Sequence, residues 1–203
     1  MKLYCKAGAC SLSAHIVLHE CGLDFTQVTV DLAQQLTERQ EDYRQINPKG
    51  QVPALQFDDG TVLTEVTAIL QYLADLKPDR HLLAPVGSLT RYQTLEWLSF
   101  FSSEMHKTFR PLFMPDKPES EKPLLRSRLE SKFRYVDAAL RDKQWLTGVN
   151  FTVADTLLFV MLRWAKTLTL ELTDCTALEE WYQRMLKRPA VLAALKAEGL
   201  SGE

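Results

Sequence analysis

The most reactive side chain in this sequence stands at the start of a helical run. Positions 7–15 read AGACSLSAH: a turn of small residues, then Cys10, then helix formers. A thiol at a strand-to-helix turn faces unpaired backbone N–H groups and the positive end of a helix dipole. Both favour thiolate, so Cys10 is expected to ionise below the ordinary value of ~8.5. A dithiol oxidoreductase would carry a second cysteine three residues on, and Ser13 stands there instead. Without that resolving thiol, Cys10 is left with a mixed disulfide or a hydrogen bond to a bound thiolate. Position alone fits an inert buried thiol equally well. The other cysteines, Cys5, Cys21 and Cys175, match neither a disulfide framework nor paired zinc ligands. No metal site is expected.

Two further stretches carry recognition chemistry. In NPKGQVPAL (47–55) a proline enters a strand-like run, where it removes a ladder donor. A cis Val52–Pro53 bond would turn the chain and free the backbone N–H and C=O of Val52 to pair with an extended peptide. A trans proline on an edge strand is the plainer reading. In LTEVTAIL (63–70) Glu65 stands where a strand gives way to a helix. The N–H groups of Val66 and Thr67 suit a carboxylate there, and Glu65 suits an ammonium. One ligand end carrying both is an α-amino acid. A helix-capping role for Glu65 competes with this.

These residues need elements to hold them. Residues 2–5 read as a strand, 11–21 as a helix stopped by Gly22, and 25–32 as a strand with Val28, Val30 and Leu32 at period two. Residues 33–46 read as irregular, with room for a short helix. A hairpin over 52–65 turns at DDG (58–60), and a helix follows it, with Ala68, Ile69, Tyr72 and Leu73 on its apolar side. After a proline-bounded connector at 76–85 only helical periodicity remains. Helices are expected over 89–109, 124–140 and 153–168, the last apolar nearly all round, and one more through Trp181, Tyr182 and Met185 is expected to end at Pro189. Thr152 and Asp155 in FTVAD (151–155) form a capping box with a folding role. The fold class is therefore α/β plus all-α: a βαβ–ββα domain followed by an all-helical domain.

The 203 residues carry a net charge of −2, which argues against a nucleic-acid partner. No apolar run approaches the roughly 18 residues of a membrane span, and MKLYCKAGAC lacks the apolar core of a signal peptide. A cytoplasmic protein with no membrane partner is expected, its thiols mostly free.

In this order and spacing the pieces resemble the glutathione transferases. Cys10 in a G-x-C-S-L turn with a downstream His106-Lys107 pair is similar to the bacterial beta class. NPKGQVPAL, LTE and FTVAD extend the resemblance over essentially the whole chain. It implies a thioredoxin-like glutathione-binding domain over 1–80, a linker at 81–86, and an all-helical domain over 87–203 that carries the hydrophobic substrate site. Glutathione is then a co-substrate, with no separate cofactor. The implied glutathione contacts are Cys10, Gln35, Val52, Glu65, Val66, Ser99, Ser103 and His106, and the implied catalytic residues are Cys10, His106 and Lys107. Ser99, Ser103 and His106 are spaced to share one helix face. Phe109, Phe113 and Trp164 are the candidates for holding a small hydrophobic electrophile, although aromatics at helical spacing more often belong to a core. The resemblance also implies a homodimer.

Four positions depart from the class pattern. Gln35 replaces a common lysine, so a charge contact to a glutathione carboxylate weakens to a hydrogen bond. Val66 replaces Gly or Ser and keeps only its backbone N–H. Ser99 is shorter than the usual Asn, and Cys5 stands where an aromatic is common. Two other functions compete: a monothiol glutaredoxin-like redox enzyme using Cys10, and a non-catalytic carrier of apolar ligands.

Overall fold

The computed structural model describes residues 1–114 and 118–201. Two compact units emerge, Met1–Leu83 together with Leu186–Glu203, and Ala84–Met185.

The first unit is built on β1 (Lys2–Cys5), α1 (Ser11–Cys21), β2 (Thr26–Asp31), β3 (Leu36–Thr37), β4 (Ala54–Gln56), β5 (Val62–Thr64) and α2 (Val66–Leu76). The five strands form one sheet in the order β3-β2-β1-β4-β5. β1 and β2 run parallel, with Tyr4 opposite Val28, so α1 is their crossover. β4 is antiparallel to β1, and β5 to β4. The period-two residues Val28 and Val30 face a core shared with Tyr4, Tyr43, Val52 and Ala54. This is the expected thioredoxin-like arrangement. Two details differ from the sequence reading. The stretch 33–46 yields the two-residue β3 and a 3-10 turn at Tyr43–Gln45. On α2 the inward face is Ile69, Leu70, Leu73 and Ala74, while Tyr72 turns outward against Phe57, 5.2 Å between ring centroids.

The second unit contains α3 (Leu89–Phe100), a π-helical segment Phe101–His106, α4 (Lys107–Phe109), α5 (Lys122–Leu140), α6 (Val153–Thr167) and α7 (Thr176–Met185). The expected continuous helix over 89–109 is thus interrupted. The π segment begins where two adjacent rings, Phe100 and Phe101, both pack on Trp97 at 6.1 and 5.5 Å. Its i→i+5 bonds re-phase the helix, so the face drawn through Ser99, Ser103 and His106 at 3.6 residues per turn does not continue unchanged.

α6 is buried from Val153 to Leu162, as its all-round apolar sequence requires. The Thr152–Asp155 capping box is present. Asp155 is also a hub: it accepts from the Thr152 N–H and hydroxyl (2.9 and 3.0 Å), the Leu146 N–H (3.1 Å) and the Trp181 indole (3.0 Å). Burial pushes its carboxyl above the ordinary range, against the pull of those donors.

Pro189 does not close the chain's last helix. α7 has already ended at Met185, and Pro189 is the first residue of α8 (Pro189–Ala197). Proline is well suited to that first position, where its missing N–H costs nothing. α8 packs on α1 and belongs to the first unit, so the helical unit stops short of the expected residue 203.

Candidate active site

Cys10 is the residue just ahead of α1, and the turn that presents it is fastened from several sides. Ser11 Oγ accepts from the Lys6 N–H and donates to the Lys6 carbonyl, both at 3.2 Å. The Ser13 hydroxyl donates to the Cys10 carbonyl at 2.6 Å. Glu198, just past α8, accepts from the Gly8 N–H at 2.9 Å through one oxygen and meets His15 Nδ1 at 2.9 Å through the other. Sequence reading missed Glu198 because it missed α8.

The thiol itself contradicts the expected acidity. Burial pushes Cys10 up to about 12, and the negative charge of Glu65 adds to the rise. The backbone N–H groups of Cys10 and Ser11 do pull downward, as a helix start should. Loss of water outweighs them because Cys10 is almost wholly enclosed. The protonated thiol donates to the Val52 carbonyl at 3.2 Å.

Val52–Pro53 is cis. The loop leading to it is held by one acceptor with two donors: the Tyr43 hydroxyl and the Asn47 side-chain amide both bond the Gln51 carbonyl at 2.7 Å. Of the two Val52 groups expected to be free, the carbonyl is taken by Cys10, and no hydrogen bond is formed by the N–H among the described residues.

Glu65 precedes α2 with φ +71° and ψ +117°, a backbone region that non-glycine residues rarely occupy. Its side chain makes no capping bond, so the capping alternative is not what the residue does. It accepts instead from Lys49 Nζ at 2.5 Å, and Lys49 also donates to Thr64 Oγ1 at 3.0 Å. Both partners of the ion pair stay open to water, their side chains 50% and 62% exposed. Lys49 was not singled out from the sequence, although it lies inside NPKGQVPAL. Val66 opens α2 beside Glu65.

Gln35 is held differently from the expectation. Its amide nitrogen donates to the Leu32 carbonyl at 2.7 Å and to the Gly50 carbonyl at 3.2 Å. Its donors are therefore spent, and the atom left buried without a partner is the acceptor Oε1. In this conformation a carboxylate finds no free donor there.

In the helical unit four predicted residues converge. The Trp164 ring lies 5.3 Å from His106, 5.4 Å from Phe109 and 5.7 Å from Phe113, and the two phenylalanines stack at 6.4 Å. Phe109 is fully buried and forms the back of the cluster, whereas Phe113 is 48% exposed. His106 closes the π segment, half-buried, and Lys107 follows it, exposed. Ser99 and Ser103 are exposed and make no side-chain hydrogen bond among the described residues. Among those residues no group of three or more His, Cys, Asp or Glu is placed to hold a metal ion, and no helix is long and apolar enough to cross a membrane.

A thioredoxin-like sheet with a cysteine at its first helix, followed by a helical unit, defines a class, and comparison with known proteins agrees. The family model for the glutathione S-transferase N-terminal domain matches residues 7–76, and that for the C-terminal domain matches residues 100–189. The chain is 55% identical to glutathione S-transferase GstA of Escherichia coli O157:H7 over 200 residues, 98% of this chain and 100% of that one. Its structure matches the bacterial beta-class glutathione S-transferase of Sphingomonas chungbukensis with a TM-score of 0.96 at 44% identity, covering 99% and 100% of the two chains. A sphingomonad glutathione S-transferase solved with glutathione matches at 0.94 and 44%, with the same coverage. The chain belongs to the glutathione S-transferase family. Within it, its structural neighbours include an enzyme of the bacterial beta class.

Proposed function

We propose that this glutathione transferase binds glutathione along Cys10, Val52, Glu65 and Val66 and conjugates its thiolate to small hydrophobic electrophiles. The observation that carries the reading is the Cys10 thiol, protonated and donating to the Val52 carbonyl at 3.2 Å. A thiol that keeps its proton is a donor, and a bound thiolate is an acceptor. On binding, Cys10 turns its S–H from Val52 to the glutathione sulfur. The Val52 carbonyl and N–H are then open to the peptide's cysteinyl unit. Lowering the pKa of glutathione's own thiol by one unit takes about 1.4 kcal/mol of preferential stabilisation.

Glu65 receives the γ-glutamyl ammonium and the Val66 N–H its carboxylate. Gln35 hydrogen-bonds a glutathione carboxylate once its amide turns away from the Leu32 and Gly50 carbonyls. His106 polarises the reacting sulfur and Lys107 adds positive potential. Phe113 and Trp164, backed by Phe109, bind the apolar electrophile. Ser99 reaches glutathione held by the other subunit of a cytoplasmic homodimer, and Ser103 is a further glutathione contact. The full-length match to named transferases does not favour the glutaredoxin-like or carrier alternatives. Disulfide exchange through Cys10 is a side activity in this reading.

The test compares wild type with Cys10→Ala in conjugation of an aromatic electrophile and in reduction of a glutathione mixed disulfide. Disulfide exchange collapses, while conjugation partly survives because glutathione brings its own thiol. Loss of both would make Cys10 an obligatory nucleophile. Tight dye binding without turnover in wild type would restore the carrier.

A further inference from the structure

Lys49 occupies a place that the proposed function reserves for something else. The carboxylate assigned to the glutathione ammonium is already paired with an ammonium supplied by the protein, at 2.5 Å. The Lys49 backbone is fixed close by: its N–H bonds Asn47 Oδ1 at 3.2 Å, and buried Asn47 is itself tied to the Gln51 carbonyl. Thr64 Oγ1 gives the Lys49 nitrogen a second acceptor, so the side chain is directed along the β5–α2 junction. Glu65 has a positive φ and makes no side-chain capping bond, so its carboxylate is available to Lys49.

We propose that Lys49 is a built-in stand-in for the ligand's α-ammonium, and that it sets how strictly the site demands an α-amino group on the peptide it binds. This rests on the reading of Glu65 as the γ-glutamyl contact. Lys49 takes only Oε1 of the carboxylate, so the ligand ammonium meets a charge that is already shared, and the two ammonium groups repel across it. Part of the gain from the new ion pair is offset by weakening of the old one. A ligand without the amine leaves Lys49 in place, and Glu65 keeps its partner. In wild type the amine is therefore worth less than it is without Lys49, where it has the carboxylate to itself.

The experiment measures dissociation constants by calorimetry for glutathione and for its des-amino analogue, glutaryl-cysteinyl-glycine. Wild type, Lys49→Met and Lys49→Arg are compared at one pH and ionic strength. The ratio of the two constants rises about two- to fivefold in Lys49→Met, the range expected for a solvent-exposed ion pair. It stays at the wild-type value in Lys49→Arg, which keeps the cation. Because Lys49 is half-exposed, a folded variant is expected, and circular dichroism checks it. An unchanged or smaller ratio in Lys49→Met, with glutathione still bound, overturns the proposal and leaves the glutathione reading standing. Failure of wild type to bind glutathione at all overturns both.

Discussion

The two units place their candidate residues by different means. In the first, backbone does the placing: a cis peptide at Val52–Pro53, a positive φ at Glu65, and a loop whose Gln51 carbonyl takes two side-chain donors. The groups proposed to meet a peptide ligand there are themselves mostly backbone, with one thiol and one carboxylate. In the second unit, side chains place one another, and His106 is located by ring packing against Trp164 inside a cluster with Phe109 and Phe113. The contrast matches the two halves of the proposed reaction. A peptide of fixed shape is recognised by fixed hydrogen-bonding groups, whereas electrophiles of varied shape need only an apolar wall.

Burial governs chemistry in the first unit, and the largest prediction tests that. A thiol held near 12 carries on the order of 10³-fold less thiolate at pH 7 than one at ~8.5. Carboxamidomethylation of Cys10 in the ligand-free protein, followed by peptide mass spectrometry to separate it from Cys5, Cys21 and Cys175, should be slower than free cysteine by at least that factor. Because the shift is upward, the rate should climb about tenfold per pH unit through pH 9 without levelling. A plateau near pH 7 would mean that the helix start, not burial, controls the thiol.

Side-chain packing governs the second unit, and Asp155 takes four hydrogen bonds within it. Asp155→Ala strips a partner from Trp181, Leu146 and Thr152 at once, all in a buried site. A loss of about 3–4 kcal/mol in urea unfolding is expected, from several unsatisfied donors. A loss below about 1 kcal/mol would show that the donors find other acceptors, and that this unit is less dependent on specific packing than the contrast requires.

Legibility from sequence also divides between local and distant causes. Cys10 at a helix start and Glu65 ahead of α2 are readable, because each depends on residues within a few positions, whereas at Val52–Pro53 the plainer trans reading is overturned by a cis bond. The sign of the Cys10 shift is not readable, since it depends on enclosure by distant chain. The Lys49–Glu65 pair joins residues 16 apart in sequence, with nothing local to mark it. The π segment lies inside the run 89–109 that reads as one helix, and helical periodicity does not register the extra residue it adds to a turn. α8 escapes the sequence for a different reason: a proline after a helical run reads as a stop, yet here it is the first residue of the next helix.

His106 separates chemistry from packing in the helical unit. His106→Ala should lower kcat/KM for conjugation about 10- to 100-fold, the lower part of the range for a polarising or proton-handling group. Its thermal midpoint should stay near that of wild type, since the residue is half-buried at the edge of the aromatic cluster. Unchanged turnover would assign His106 to the cluster alone, and the second unit would then contribute no polar chemistry through that residue.

The smallest effect tests whether the first unit's site is indeed set by backbone. Gly50 has φ +61°, and an added Cβ would lie 2.4 Å from Gln35 Oε1. Gly50→Ala therefore meets two obstacles, a left-handed conformation and a collision, and should cost about 1–2 kcal/mol in all. Gln35 can yield only by loosening its bonds to the Leu32 and Gly50 carbonyls. The double variant Gln35→Ala, Gly50→Ala removes the collision and keeps the conformational cost. If backbone conformation sets the loop, the glycine substitution should still cost about 1 kcal/mol when measured against Gln35→Ala alone. If that cost vanishes, the Gln35 side chain was the controlling contact, and the loop before Val52 is placed by packing, as the helical unit is.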